Sequence, residues 1–333
     1  MANSILNELL KEYEQVRIDN ELKLSDRKVA LYKSNSRLQE IDNELTSISI
    51  TISKEIIANN KDTHLPSLRK KISELTKEKE NILKKLGKPK DYLLPVYSCP
   101  LCKDTGYILQ GNISNMCNCL KQKLFNIQYN KSNFSNLDKE NFANFNLGLY
   151  SDKVDKQRYG MDISPRHNMK DLKQCAMDFI SNFDEPSQKN LIFSGGTGLG
   201  KTFLANCIVN ELLKQGHTVL YQTAPVMLDS LIDFIFNKNG EKESVLNSLL
   251  TVDLLVIDDL GTETMNSMKF TELYKIINTR LLNQQGRVTK TIISTNLDLQ
   301  SLFKTYDERL VSRFVGYYDS YHFFGDDIRF KLK

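Results

Sequence analysis

At 333 residues, with 45 Lys and Arg against 41 Asp and Glu and a formal charge of +4, the chain is long enough for two or three domains and an ample α/β core. So mild a positive balance permits nucleic-acid binding without arguing for it. No apolar run approaches the roughly 18 residues of a membrane span, and Met1-Ala2-Asn3-Ser4-Ile5 lacks the basic and apolar opening of a secretion signal, so the expected location is cytoplasmic.

Residues 1–90 read as helical. Apolar residues recur at Leu38, Ile41, Leu45, Ile48, Ile52 and Ile56, then, after Asn59-Asn60-Lys61-Asp62-Thr63-His64, at Leu65, Leu68, Ile72, Leu75, Ile82 and Leu86, ending at Gly87. Three-four spacing places each set along one helical stripe, which predicts an antiparallel coiled-coil hairpin. Lys79 falls on the seam, where a charge predicts fraying or a solvated edge. The segment Ile5 to Leu24 is helical in pattern but less regular. Such a hairpin either packs only on itself or forms an exposed partner-binding arm.

Lys88-Pro89-Lys90-Asp91 breaks the helix and opens a module over 91–130. It holds Cys99-Pro100-Leu101-Cys102 and Cys117-Asn118-Cys119, two clusters fourteen residues apart, so that one hairpin can bring them together. Four thiolates suit tetrahedral Zn²⁺ in a closed, structural site, whereas a redox C-x-x-C needs a surrounding βαβ pattern that is missing. Cys175 and Cys207 lie on helical faces as packing residues. Residues 131–160 have little periodicity and read as a linker wrapping onto the next domain. Its Phe134, Phe142 and Phe145 either anchor it or contact a purine base.

From 161 to 333 strands and helices alternate. Strands are expected at Leu191 to Phe193, His217 to Gln222, Leu254 to Ile257, Thr291 to Ser294 and Tyr321 to Phe324. Helices are expected at Met169 to Phe183, Thr202 to Lys214, Pro225 to Asn237 and Met268 to Asn283. The alternation implies a parallel sheet covered on both faces.

After the first of these strands comes Gly195-Gly196-Thr197-Gly198-Leu199-Gly200-Lys201-Thr202, followed by a helical pattern. This is a complete phosphate-binding P-loop: backbone N–H groups approach a triphosphate, Lys201 reaches the β- and γ-phosphates, and Thr202 ligates Mg²⁺. A Gly-rich surface turn would not sit between a buried strand and a helix. Leu254-Leu255-Val256-Ile257-Asp258-Asp259 delivers two carboxylates at a strand's C-terminal end, a Walker B pattern in which Asp258 serves Mg²⁺ and Asp259 polarises the attacking water. The strand ending Ser294-Thr295-Asn296 places an amide beside them, either as a γ-phosphate sensor or as a turn or helix cap. Glu308-Arg309-Leu310-Val311-Ser312-Arg313 sets two arginines on one helical face. Their forks suit a phosphate bound by another subunit, or pair with Asp307 or Glu308 on the surface.

Together these residues, with Ser164-Pro165-Arg166-His167-Asn168-Met169, Asp258-Asp259-Leu260-Gly261 and Asp327-Ile328-Arg329, make the chain from Cys99 onward resemble the AAA+ ATPase domain of the DnaC/DnaI bacterial helicase loaders. The resemblance implies a five-stranded parallel sheet of order 5-1-4-3-2, with Arg313 as the arginine finger entering a neighbour's site and Arg309 as the other arginine of that motif. It also implies that the zinc-binding region engages the helicase. The chain ends nine residues after Phe324, so the expected core has no C-terminal helical lid and no sensor-2 arginine. Asp259 stands where many AAA+ enzymes have Glu, and slow ATP turnover is expected from the shorter side chain.

The function implied is an ATP-dependent loader that binds a DnaB-type hexameric replicative helicase, self-associates through its ATPase domain and places the helicase on single-stranded DNA. An IstB-type transposition regulator and a non-catalytic nucleotide-binding scaffold are the competing readings. Lys238, Lys242 and Arg287 are the loop cations considered as DNA contacts, although no basic-aromatic stripe marks them.

Overall fold

The computed structural model describes residues 2–57, 65–127, 137–236, 241–282 and 288–331. Asn59 to His64, Phe134, Lys238 and Arg287 lie outside the described residues, as do the side chains of Ile56 and Lys242. The chain divides into two compact units, Met1–Cys117 and Asn118–Lys333.

The first unit begins with three helices, α1 (Ala2–Ser34), α2 (Ser36–Ile57) and α3 (Leu65–Lys85). The irregular N-terminal pattern is thus part of one 33-residue helix. Leu38, Ile41, Ile48 and Leu75 of the expected seam are buried, and Leu45, Ile52, Leu68, Ile72 and Ile82 pack partly buried beside them. At the seam's end Leu83 is buried with Leu31, Leu38 and Leu93, while Leu86 is exposed. The reason is that the helix has already stopped. Gly87 adopts φ +68°, and the N–H groups of Gly87 and Lys88 return to the carbonyls of Lys84 and Leu83, a left-handed cap that only glycine enters cheaply.

Lys79 does not fray. Its ammonium donates to Asp42 Oδ1 at 2.5 Å, Tyr32 donates its hydroxyl to Asp42 Oδ2, and the Lys79 and Asp42 side chains are 17% and 18% exposed. A seam lysine is tolerated here because the facing helix supplies a carboxylate, something a single helix's periodicity does not contain. Arg37 of α2 likewise bonds Glu78 of α3 through Nε and Nη2, at 2.9 and 3.1 Å. Beyond α3, β1 (Tyr107–Gln110) and β2 (Ile113–Met116) form an antiparallel hairpin about Gly111-Asn112.

The second unit contains α4 (Asn118–Phe125), short 3-10 turns at Phe142–Asn144 and Leu147–Leu149, α5 (Lys156–Tyr159), α6 (Pro165–Ser181), β3 (Asn190–Gly195), α7 (Lys201–Lys214), β4 (Val219–Thr223), α8 (Ala224–Phe236), α9 (Glu241–Thr251), β5 (Leu254–Leu260), α10 (Ser267–Leu282), β6 (Lys290–Thr295), α11 (Leu299–Thr305), α12 (Glu308–Tyr317) and β7 (Tyr318–Phe323). Ser164 caps α6 by accepting the His167 N–H, with Pro165 at its first turn.

The five strands β3 to β7 form a wholly parallel sheet in the order β4-β5-β6-β3-β7. Numbered within the sheet this is 2-3-4-1-5, which from the other edge reads 5-1-4-3-2. What differs from the expected strands is their extent: β5 runs on to Leu260 and β7 starts at Tyr318. Alternation divides the core. Leu191, Phe193, Val219, Tyr221, Leu254 and Val256 face a cluster with residues of α6 and α7; Ile192, Leu220, Leu255, Ile257 and Ile293 face one with residues of α8, α9, α10 and α12. Phe142 and Phe145 of the linker pack against the first cluster, so they serve as anchors. Buried Arg280 of α10 ties the entrance of the central strands, donating to the carbonyls of Leu249, Val252 and Lys290 at 2.6–2.9 Å.

Candidate nucleotide and metal sites

The P-loop joins β3 to α7 at the C-terminal edge of the sheet, where successive backbone N–H groups and the α7 dipole favour an anion. Two glycines are needed for their space as well as their dihedrals. Gly195 has φ +136°, and a Cβ there would sit 2.1 Å from the Phe323 carbonyl oxygen; Gly198 has φ +69°, and a Cβ would meet Asp327 Oδ1 at 2.0 Å. The end of β7 and the segment after it therefore lie close against the loop, fastened by the Ile328 N–H donating to the Gly198 carbonyl at 2.9 Å.

Lys201 is buried and donates to the carbonyls of Gly195 and Gly196, each at 2.7 Å, and to Asn296 Oδ1 at 2.8 Å. Burial lowers its pKa; the charges of Asp259 and Asp258 oppose that and Arg329 reinforces it. Thr202 donates its hydroxyl to Asp258 Oδ2 at 3.1 Å. This hydroxyl and carboxylate are the hard oxygen donors that Mg²⁺ takes, adjacent to each other beside the loop, so the residues fit the ion.

Asp259 is aimed by a break in the strand. Its φ of +55° is left-handed, and the β5–β6 register shifts between Ile257 and Leu260. That bulge turns the second acid out of the ladder toward the loop. Its N–H donates to Ser294 Oγ at 3.0 Å and to Asp258 Oδ1 at 3.1 Å. Burial, and next the charge of Asp258, raise its pKa, while Lys201 and Arg329 pull it down.

One pocket is lined by Glu140, Thr197 to Phe203, Asp259, Asn296, Ile328 and Arg329. It thus joins most of the expected site residues. Asn296 lies at the strand tip bonded to Lys201, and the cap of α11 is made instead by Asp298, whose Oδ1 accepts the Ser301 N–H at 2.7 Å. Arg309 and Arg313 are not among the lining residues. Arg309 is exposed, and Arg313 reaches α10, where Nε donates to Asn278 Oδ1 at 3.1 Å and Nη2 to the Tyr274 hydroxyl at 3.3 Å.

Sequence reasoning missed several groups. Arg329, which the 3-10 turn Ile328–Lys331 carries into the pocket, is not among the residues the sequence assigned to the site. Its only sequence signal is the Asp327-Ile328-Arg329 run. Glu140 arrives from the linker and accepts from Asn206 Nδ2. Tyr221 and Ser294 bond Asp258 from the flanking strands, and read in sequence simply as strand residues.

The four cysteines also converge. One ligand atom from each of Cys99, Cys102, Cys117 and Cys119 lies within 4.8 Å of every other, with the Cys99 and Cys117 sulfurs 3.9 Å apart. Four thiolates about 2.3 Å from a tetrahedral Zn²⁺ would stand about 3.8 Å apart, so the donor set fits that ion. The turn after the first pair is held by buried Asp104, whose carboxylate accepts the N–H groups of Ser98 and Cys99 at 2.9 and 2.8 Å. Lys103 and Asp104 take φ values of +51° and +57° to make it.

Residues 153–314 match the model of the IstB-like ATP binding protein family. The replicative helicase loader DnaC of Escherichia coli K12 is 33% identical over 138 residues, covering 41% of this chain and 54% of that protein. DnaC of Buchnera aphidicola subsp. Baizongia pistaciae is 32% identical over 140 residues, covering 42% and 55%. The chain therefore spans about half the length of the curated relatives it matches. A crystal structure of the DnaC helicase loader is 24% identical at a TM-score of 0.42, covering 54% of this chain and 96% of that one. The segment that carries the P-loop and the paired strand-end acids is thus the one that matches the IstB-like ATP binding protein family and resembles the ATPase part of DnaC.

Proposed function

We propose that this chain is an ATP-dependent loader that binds a DnaB-type hexameric replicative helicase and places it on single-stranded DNA. The observation that carries the reading is an ATPase domain 33% identical over its matched part to a replicative helicase loader, in a chain that also holds a helical hairpin and a four-thiol cluster.

In this reading the loop Gly195 to Thr202 binds the ATP phosphates, and Lys201 exchanges loop carbonyls for the β- and γ-phosphates. Mg²⁺, held by Thr202 and Asp258, supplies neutralisation of the phosphate charge when bound. Asp259 accepts a hydrogen bond from the attacking water, and Asn296 orients it from the neighbouring strand tip. Arg329 adds a cation from the same subunit. Arg313, held on α10 outside its own pocket, serves a neighbour's γ-phosphate, with Arg309 beside it on α12. The short carboxylate at 259 makes turnover slow. Cys99, Cys102, Cys117 and Cys119 hold a structural Zn²⁺, and the module they brace contacts the helicase together with the hairpin.

Co-purification with the replicative helicase, with and without ATP, is the test. A complex that forms with ATP supports the loader; failure to bind the helicase in both conditions sinks it. The IstB family match favours a second reading, a regulator of transposition. ATP-dependent filaments on duplex DNA, without helicase binding, would select that reading.

A further inference from the structure

The Asp258 carboxylate is gripped from both neighbouring strands. Tyr221 of β4, 2% exposed, donates its hydroxyl to Oδ2 at 2.5 Å, and Thr202 donates to the same oxygen at 3.1 Å. On the other oxygen, Oδ1 accepts the Asp259 N–H at 3.1 Å and the hydroxyl of fully buried Ser294 from β6. The carboxylate is thus held from β4 on one oxygen and from β6 on the other, with the Thr202 hydroxyl sharing Oδ2. The Tyr221 hydroxyl is not needed to hold β4 on β5, whose parallel ladder runs unbroken from Val219 opposite Leu254 to Thr223 opposite Asp258, whereas Ser294 bonds the two acids at the bulge that interrupts the β5–β6 ladder. The Tyr221 ring packs in an apolar cluster with Leu204, Ala205 and Val256, surroundings that a phenylalanine would satisfy equally. Its hydroxyl is the polar part of the side chain, and it donates to Asp258.

We propose that Tyr221 is a positioning residue for the metal carboxylate: its hydroxyl fixes the Asp258 rotamer with Oδ2 toward Thr202, and so sets the Mg²⁺ dependence of nucleotide binding. The proposal rests on reading the P-loop as a Mg²⁺–ATP site. A carboxylate released from such a partner samples other rotamers, and loss of an outer-shell hydrogen bond commonly costs tenfold or more in metal affinity. Ser294 completes the clamp. Its oxygen accepts the Asp259 N–H while its proton goes to Asp258, so a single hydroxyl couples the two acids.

The test is Tyr221→Phe in the full chain, with a fluorescent non-hydrolysable ATP analogue bound in EDTA and across a Mg²⁺ titration. The expected result is metal-free affinity within twofold of wild type and a half-saturating Mg²⁺ concentration raised about tenfold. An unchanged Mg²⁺ midpoint overturns the proposal. So does an equal loss of affinity with and without metal, which is what general damage to the fold produces. The same substitution in an Asp258→Asn background should add nothing to the Mg²⁺ midpoint, since both act through one carboxylate; an additive loss counts against it. Wild-type affinity indifferent to Mg²⁺ would remove the underlying reading, and the proposal with it.

Discussion

The ammonium of Lys201 donates to the side-chain oxygen of Asn296 at 2.8 Å, joining the start of α7 to the tip of β6. The two residues are 95 positions apart in sequence, yet one contact links the phosphate lysine to the sensor position. Their losses should therefore separate. Lys201→Ala should abolish ATP binding in a titration calorimeter, whereas Asn296→Ala should keep binding within a few-fold and lower turnover about 10²-fold. Loss of affinity in Asn296→Ala equal to that of Lys201→Ala would make the amide a binding group only.

The raised pKa of Asp259 has two consequences of opposite sign. Hydrolysis needs the carboxylate, so the acid limb of the rate should lie above the ordinary aspartate value of about 3.9. Stability runs the other way: a carboxyl whose folded pKa exceeds its unfolded one contributes stability that is present below the unfolded value and lost as pH rises through the folded one. Asp259→Asn should thus raise the melting temperature at neutral pH, with the gain shrinking on acidification, while ATP still binds and hydrolysis falls about 10²–10⁴-fold. Asn also tolerates the left-handed backbone there. A variant no more stable than wild type at neutral pH would contradict the desolvation argument.

Arg313 and Arg329 make a contrasting pair. Arg329 lines its own subunit's pocket, while Arg313 is bonded to Tyr274 and Asn278 of α10. Arg329→Ala should weaken nucleotide binding by isolated monomers several-fold, and Arg313→Ala should leave it unchanged while removing hydrolysis or assembly. Weak binding by Arg313→Ala monomers would place that guanidinium in its own site.

For the cysteine cluster, metal analysis should find one Zn²⁺ per chain. Cys102→Ser or strong chelation should release it and melt the β1–β2 hairpin, read by amide exchange, while ATP binding persists. Full zinc occupancy after Cys102→Ser would exclude that thiol as a ligand.

In the hairpin, Lys79→Ala leaves Asp42 half-buried with only the Tyr32 donor. A cost of about 1–3 kcal/mol is expected in urea unfolding followed by helix ellipticity. The double substitution Asp42→Asn with Lys79→Met should recover much of it; no recovery would mean that the lysine's stem, not its charge, matters.

What the sequence by itself determined is whatever depends on neighbours along the chain. The P-loop was legible because consecutive N–H groups, three positive-φ glycines and a helix start are all local, and the strands because alternation at Leu191 to Phe193 and Leu254 to Ile257 matches the two clusters on either side of the sheet. Heptad spacing at Leu38 to Ile52 and at Leu68 to Ile82 foretold the packed faces of α2 and α3. Only the tertiary structure decided the rest, because it depends on which segments meet. Asp42 met Lys79 across two helices, Tyr221 and Ser294 met Asp258 across three strands, and the Gly198 carbonyl caught the Ile328 N–H and so carried Arg329 into the pocket. A hydroxyl or a guanidinium gains its role from the partner it is buried against, and no periodicity records that partner.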